Sequence, residues 1–264
     1  KDGSTSLSDV SFSKDGSLMA YSISEGGSDW RKVIILNTAD KKQIGETLID
    51  IKFSGISWKG NTGFYYSSYD KPKGSELSEK TDQHKVYFHQ LGTAQSTDKM
   101  IFGGTEVPRR YIGAYLTDDE KFLIISAANT TTGNELYVQD LSKPGSKIVN
   151  ILSGFGSSTN IIDNDGETFY VQTNLNAPNN KLVKMNIRQP ESKNWVDVIP
   201  ETEHVLNVST GGGYLFANYL KDAISVIEQY DYTGKKIREI QLPGVGSAGG
   251  FSGKKKEKTI YYGF

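Results

Sequence analysis

The chain has 264 residues, of which 36% are hydrophobic and 23% charged, enough for one large all-β domain and unlike a disordered chain. It contains no cysteine, which excludes disulfides, thiolate metal sites and cysteine nucleophiles while leaving both cytoplasm and bacterial periplasm open as compartments. Its net charge is -1, and its one dense basic run, Lys254-Lys255-Lys256 with Lys258, falls where a tight turn is expected, so neither nucleic acid nor an acidic membrane is an expected partner.

The start, Lys1-Asp2-Gly3-Ser4, has the pattern neither of a signal peptide nor of a natural beginning, and it predicts a fragment. No apolar run approaches the roughly 18 residues of a membrane span. From there one hairpin unit recurs: a short strand, a polar or glycine-containing turn, then a strand rich in aromatic and β-branched residues. The turns fall at Asp15-Gly16, Gly60-Asn61, Asp118-Asp119, Asp165-Gly166, Gly211-Gly212 and around Lys255. The strands that follow them are Leu18–Tyr21, Phe64–Tyr66, Phe122–Ile125, Phe169–Val171, Tyr214–Phe216 and Ile260–Tyr262. A period of about 45 residues is that of propeller blades.

Between the hairpins lies a second pair of strands, as in Lys32–Leu36 returning through Asp40-Lys41, or Ser225–Glu228 returning through Thr233-Gly234. Each unit thus supplies four antiparallel strands. The polar insertion Lys71–Lys80 reads as a surface loop rather than a linker. First strands carry small residues, as in Tyr111–Tyr115 and Gly246–Gly250, which suits innermost strands whose backbones approach closely. The prediction is an all-β fold, a β-propeller of four-stranded antiparallel blades, incomplete, occupying 1–264 as one domain. Five blades are full and a sixth stops after its second strand at Phe264, an exposed edge that predicts continuation of the natural protein on both sides.

The residues of a self-contained enzyme are missing. No Gly-x-Ser-x-Gly elbow occurs; Gly55-Ile56-Ser57-Trp58-Lys59 lacks the closing glycine, and Ser57 reads as a packing residue on an inner strand. His84, His89 and His204 have no partners at metal-ligand spacing and read as surface or hydrogen-bonded core residues. Gly211-Gly212-Gly213 lacks the Lys-Ser/Thr and helix of a phosphate loop. Asp163 and Asp165 lack the glutamate of a calcium loop and read as turn formers. No metal and no cofactor is expected. By pattern alone Asp29, beside Gly27 and Ser28, is a turn residue bonding its own backbone, and Phe53, alternating with Ile51, is a core residue of a strand.

Five segments carry more: Gly27-Ser28-Asp29-Trp30, Lys52-Phe53-Ser54-Gly55, the stretch His89–Asp98 with Leu91-Gly92-Thr93-Ala94-Gln95-Ser96, Val198-Ile199-Pro200-Glu201, and Gly244–Gly253. In order and spacing they resemble the propeller of the prolyl oligopeptidases, serine-type prolyl endopeptidases. The resemblance implies a seven-bladed propeller, not sealed by a shared strand, that caps an α/β-hydrolase domain supplying a Ser-Asp-His triad. This chain matches the middle of that propeller and none of the triad. The resemblance further implies a substrate-gating role, in which a cavity between the domains admits peptides of up to a few tens of residues and keeps folded proteins out. It assigns Asp29 to the interdomain face, paired with an arginine that holds the substrate backbone. It assigns Phe53 to the pocket for the residue two before the scissile proline. Tyr111 and Thr131 align with further substrate-binding positions, methionine and cysteine in mammalian members, so the pocket is expected to differ in shape here. The implied partners are peptide substrates and the hydrolase domain of the same protein. The alternative is a stand-alone or engineered propeller scaffold for protein or peptide binding.

Overall fold

A computed structural model describes residues 3–71, 74 and 81–264; the expected surface loop Lys71–Lys80 and the start of the chain fall largely outside the described residues. Described strands β1 to β22 form consecutive antiparallel meanders. The first sheet is β1 (Thr5–Phe12), β2 (Leu18–Glu25), β3 (Trp30–Asn37) and β4 (Leu48–Lys52). The second is β5 (Ser57–Lys59), β6 (Gly63–Ser68), β7 (Lys85–Gln90) and β8 (Lys99–Gly103). The third is β9 (Tyr111–Leu116), β10 (Phe122–Ala128), β11 (Glu135–Asp140) and β12 (Val149–Leu152). The fourth runs from β13 (Thr159–Asp165) through β14 (Thr168–Thr173) and β15 (Lys181–Asn186) to β16 (Val196–Ile199). The fifth comprises β17 (Leu206–Gly211), β18 (Tyr214–Lys221), β19 (Ile224–Tyr230) and β20 (Lys236–Glu239). The last is the two-stranded pair β21 (Gly249–Ser252) and β22 (Tyr261–Gly263). This is the four-strand grammar of propeller blades that the hairpin period predicts.

Contacts divide the chain into two units, Lys1–Thr131 with Tyr137–Val149, and Thr132–Leu136 with Asn150–Phe264. Within the first, β6 shows how the sequence builds a blade. All six of its residues, Gly63 to Ser68, are buried, because a central strand covered on both faces has no solvent side. Successive side chains therefore serve opposite partners. Phe64 and Tyr66 join Trp58 in a core with Leu18, Val33, Ile35, Leu48 and Ile51 of the first sheet. Tyr65, between them, turns the other way onto Ile112, Leu123 and Ile125 of the third sheet. Fully burying Phe64 stabilises the fold by about 2 to 3 kcal/mol. In the second unit the same logic joins Tyr170, Leu182 and Ile199 of the fourth sheet to Leu206, Leu215 and Tyr219 of the fifth.

Two sequence expectations are corrected here. Gly246 and Ala248 do not belong to the inner strand, which starts at Gly249; the Gly246 carbonyl accepts from the Ser225 amide at 3.0 Å, and the Ala248 amide donates to Ser225 Oγ at 3.0 Å, so this stretch is tied to β19 instead of to β22. Asp163 is no turn former. It lies inside β13, where the register shifts, and its buried carboxylate accepts from the Tyr232 hydroxyl and lies 3.5 Å from Lys255 Nζ. Asp165 does close β13 at its turn. Among the described residues no helix is long and apolar enough to cross a membrane.

Candidate functional site

Three of the four residues singled out by the sequence, Asp29, Phe53 and Tyr111, lie at strand ends of the first unit. The β2–β3 turn uses Gly26 (φ +61°) and Gly27 (φ +73°), with the Ser28 amide donating to the Glu25 carbonyl at 3.1 Å and Ser28 Oγ accepting the Trp30 amide at 3.1 Å. The side-chain turn bond thus belongs to Ser28. Asp29 is left 64% exposed, its carboxylate 3.9 Å from Lys52 Nζ. Trp30 starts β3 and is the ladder partner of Lys52 at the end of β4.

Phe53 follows Lys52, and here the strand expectation fails. Its φ of +54° puts it in the left-handed region, which for a non-glycine residue costs about 1 to 2 kcal/mol and takes it off the pleat. Ile51 is buried as alternation requires, whereas the Phe53 ring is swung out and is 42% exposed. Such a conformation persists where its surroundings over-determine it. Ser54 supplies one constraint, since its Oγ accepts the Ser67 amide of β6 at 2.7 Å. Lys52 supplies another: its ammonium, only 12% exposed, sits 5.2 Å from the centroid of the Phe53 ring and 5.1 Å from that of Trp30.

The exposed ring stands edge-to-face against two tyrosines. Tyr111, at the start of β9, lies 5.8 Å away at 67°, and Tyr69, just past β6, lies 6.4 Å away at 83°. Tyr111 is itself 53% exposed, so Phe53 and Tyr111 form an open aromatic wall, while Tyr69 is buried behind it. Burial pushes the Tyr69 phenol up to about 12, so it stays a neutral support. Behind Tyr69 lies His84, fully buried, its ring stacked on Tyr69 at 4.4 Å. Thr131 is not brought into this group; it is exposed in the loop between β10 and β11. Lys52, Tyr69 and His84 were not predicted as site residues, and no local pattern marks them, because their partners lie on other strands.

A second cluster explains the His89–Asp98 stretch. His89 Nδ1 is 2.9 Å from Asp98 Oδ1, the Tyr66 hydroxyl donates to Asp98 Oδ2 at 2.9 Å, and both His89 and Asp98 side chains are buried. Burial and the Asp98 charge push the Tyr66 phenol up. Gln95 reaches the first sheet: its Oε1 accepts the Ile49 amide at 2.9 Å and its Nε2 donates to the Ile49 carbonyl at 2.8 Å. The segment is a clasp between two blades. Ser57 fits its packing role, with Oγ accepting the Leu116 amide at 2.9 Å. His204 lies beside Glu203 at 3.5 Å, near the surface.

Consecutive four-stranded meanders, with an open aromatic wall at the strand ends of the first unit, define a β-propeller domain. The whole chain, residues 1–264, matches the prolyl oligopeptidase N-terminal β-propeller domain model and belongs to that family. It is 59% identical over 263 residues to the prolyl endopeptidase of Elizabethkingia meningoseptica, covering 99% of this chain and 37% of that protein. It is 33% identical to the prolyl endopeptidase of Dictyostelium discoideum, over 94% of this chain and 40% of that one. Among solved structures, prolyl oligopeptidase B from Galerina marginata, bound to a 35mer hydrolysis and macrocyclization substrate, superposes with a TM-score of 0.90 at 26% identity, over 99% of this chain and 39% of that chain. The chain thus spans about two fifths of the length of the proteins it matches.

Proposed function

We propose that this propeller is the substrate-gating domain of a serine-type prolyl endopeptidase, and that the complete protein hydrolyses short peptides on the carboxyl side of proline. The observation that carries this reading is the exposed Phe53–Tyr111 wall, held open at the cost of backbone strain beside the Asp29–Lys52 pair. A strained, half-exposed aromatic serves contact with something outside the fold. In this reading the wall packs on the substrate side chain two before the scissile proline, Thr131, exposed in the β10–β11 loop outside the wall, makes a separate substrate contact, and Asp29 pairs with an arginine of the catalytic domain that grips the substrate backbone. The nucleophile comes from that second domain, since this sequence holds no serine elbow. We place the protein in the cytoplasm or a bacterial periplasm, which a cysteine-free chain tolerates equally.

The test is hydrolysis of a proline-containing chromogenic peptide by the full-length protein and by the isolated chain. The full-length protein is expected to cleave it and to be blocked by a serine-directed inhibitor, while the isolated chain is expected to be inert. No cleavage by the full-length protein, or inhibitor-sensitive cleavage by the repurified isolated chain, overturns the proposal.

A further inference from the structure

We propose that His84 is a positioning residue for the Phe53–Tyr111 wall; the inference rests on the pocket reading above for its effect on substrates, and on backbone geometry for its effect on the wall. The buried imidazole makes two hydrogen bonds, and both end on the peptide groups from which the wall residues depart. The Ile112 amide donates to Nδ1 at 2.8 Å, and Nε2 lies 3.0 Å from the Lys52 carbonyl oxygen. An amide can only donate, so Nδ1 is the bare nitrogen and the proton resides on Nε2, which donates to Lys52. The ring is therefore a neutral imidazole of fixed tautomer, the form that burial favours, with a pKa lowered to about 4.

The geometry of those two bonds decides what they control. The Lys52 carbonyl belongs to the Lys52–Phe53 peptide, so holding it holds the plane whose rotation defines φ of Phe53. The Ile112 amide belongs to the Tyr111–Ile112 peptide, so holding it sets the other side of the wall. The ring face stacks on Tyr69, whose ring meets the edge of Phe53. One side chain thus restrains both members of the wall and the tyrosine behind them. His84 is in turn locked by its own backbone: the Gly104 amide donates to its carbonyl at 2.9 Å. Gly103, at φ +102°, leaves room for that approach, since a Cβ there would lie 2.3 Å from the same carbonyl oxygen.

The experiment uses the full-length protein, with a matched pair of peptides that differ in carrying a large residue two before proline or lacking it. His84→Phe keeps a ring for Tyr69 and removes both hydrogen bonds. The expected result is roughly tenfold loss of selectivity for the longer peptide, through its KM more than kcat, and a crystal structure in which Phe53 leaves the left-handed region. A folded His84→Phe protein with Phe53 still at positive φ and unchanged selectivity overturns the inference, as does equal slowing of both peptides. Should His84→Phe fail to fold, His84→Gln and His84→Asn decide the matter. Glutamine can replace the Nε2 donor to Lys52 and is expected to keep Phe53 left-handed; asparagine reaches only the Nδ1 position and is expected to release it. Identical Phe53 geometry in the two overturns the inference. If the unmodified full-length protein cleaves neither peptide, the pocket reading fails, and the crystallographic comparison still decides the role of His84.

Discussion

Replacing Phe53 by glycine and by alanine separates the two things that residue does. Both substitutions remove the ring, and with it two edge-to-face contacts of about 0.5 to 1.5 kcal/mol each and a cation contact with Lys52 of about 0.5 to 1 kcal/mol. Only glycine also removes the left-handed strain of about 1 to 2 kcal/mol. Against this, glycine increases the unfolded-state entropy, by about 0.4 to 1 kcal/mol relative to alanine. At an ordinary strand position the glycine variant would be the less stable by about 0.5 to 1 kcal/mol. Here the order reverses, and Phe53→Gly is expected to be as stable as Phe53→Ala or up to about 1.5 kcal/mol more stable, a melting shift of roughly 0 to 6 °C. Both variants of the full-length protein are expected to lose about 1 to 3 kcal/mol in kcat/KM, or about 5- to 150-fold, on peptides with a large residue two before proline. Peptides lacking that residue are expected to change little. Thermal melts and steady-state kinetics on the peptide pair measure both quantities. If Phe53→Ala melts above Phe53→Gly, or the two peptides slow equally, Phe53 is an ordinary structural residue and the reasoning is wrong.

Folded-state burial lowers His84 from 6.5 to about 4, so between those values the unfolded chain binds the extra proton and stability falls as pH drops, by up to about 3 kcal/mol. Above pH 6.5 this contribution is complete and flat. Denaturant melts from pH 4 to 7.5 are expected to show the slope, and His84→Phe to flatten it. An unchanged slope in the variant would count against the buried neutral imidazole. Asp98→Ala leaves the Tyr66 hydroxyl and His89 without their acceptor in a buried site and is expected to cost about 2 to 5 kcal/mol, read as a fall in melting temperature. A loss below 0.5 kcal/mol would show that the cluster is dispensable.

The blade pattern was legible because each hairpin is written locally. Glycine or aspartate marks the tip, as at Asp15-Gly16 and Gly60-Asn61, and an aromatic strand follows, so neighbours in sequence are neighbours in the sheet. Phe53 was misread from pattern alone because alternation with Ile51 continues in the letters while a positive φ breaks the pleat in space. Asp163 was misread because its partners Tyr232 and Lys255 lie 69 and 92 residues further on. The same holds for His84, whose two hydrogen-bond partners are 32 and 28 residues away. The resemblance supplied Asp29, Phe53 and Tyr111 as candidates. The supports behind them, Lys52, Tyr69 and His84, became visible only when separate blades were set side by side.

The amide of Gln95 grips the peptide of Ile49 through both its N–H and its C=O, touching nothing that depends on which side chain stands there. The two halves of that joint are therefore unequally free to vary. Residue 49 can be rewritten so long as its backbone stays in place, since the Ile49 side chain is half-exposed and both hydrogen bonds of the joint end on its main chain. Residue 95 has no such latitude, because shortening it by one carbon, as in asparagine, pulls the donor and acceptor out of reach together. A strand that is read by its main chain can drift in sequence while the residue that reads it is held fixed.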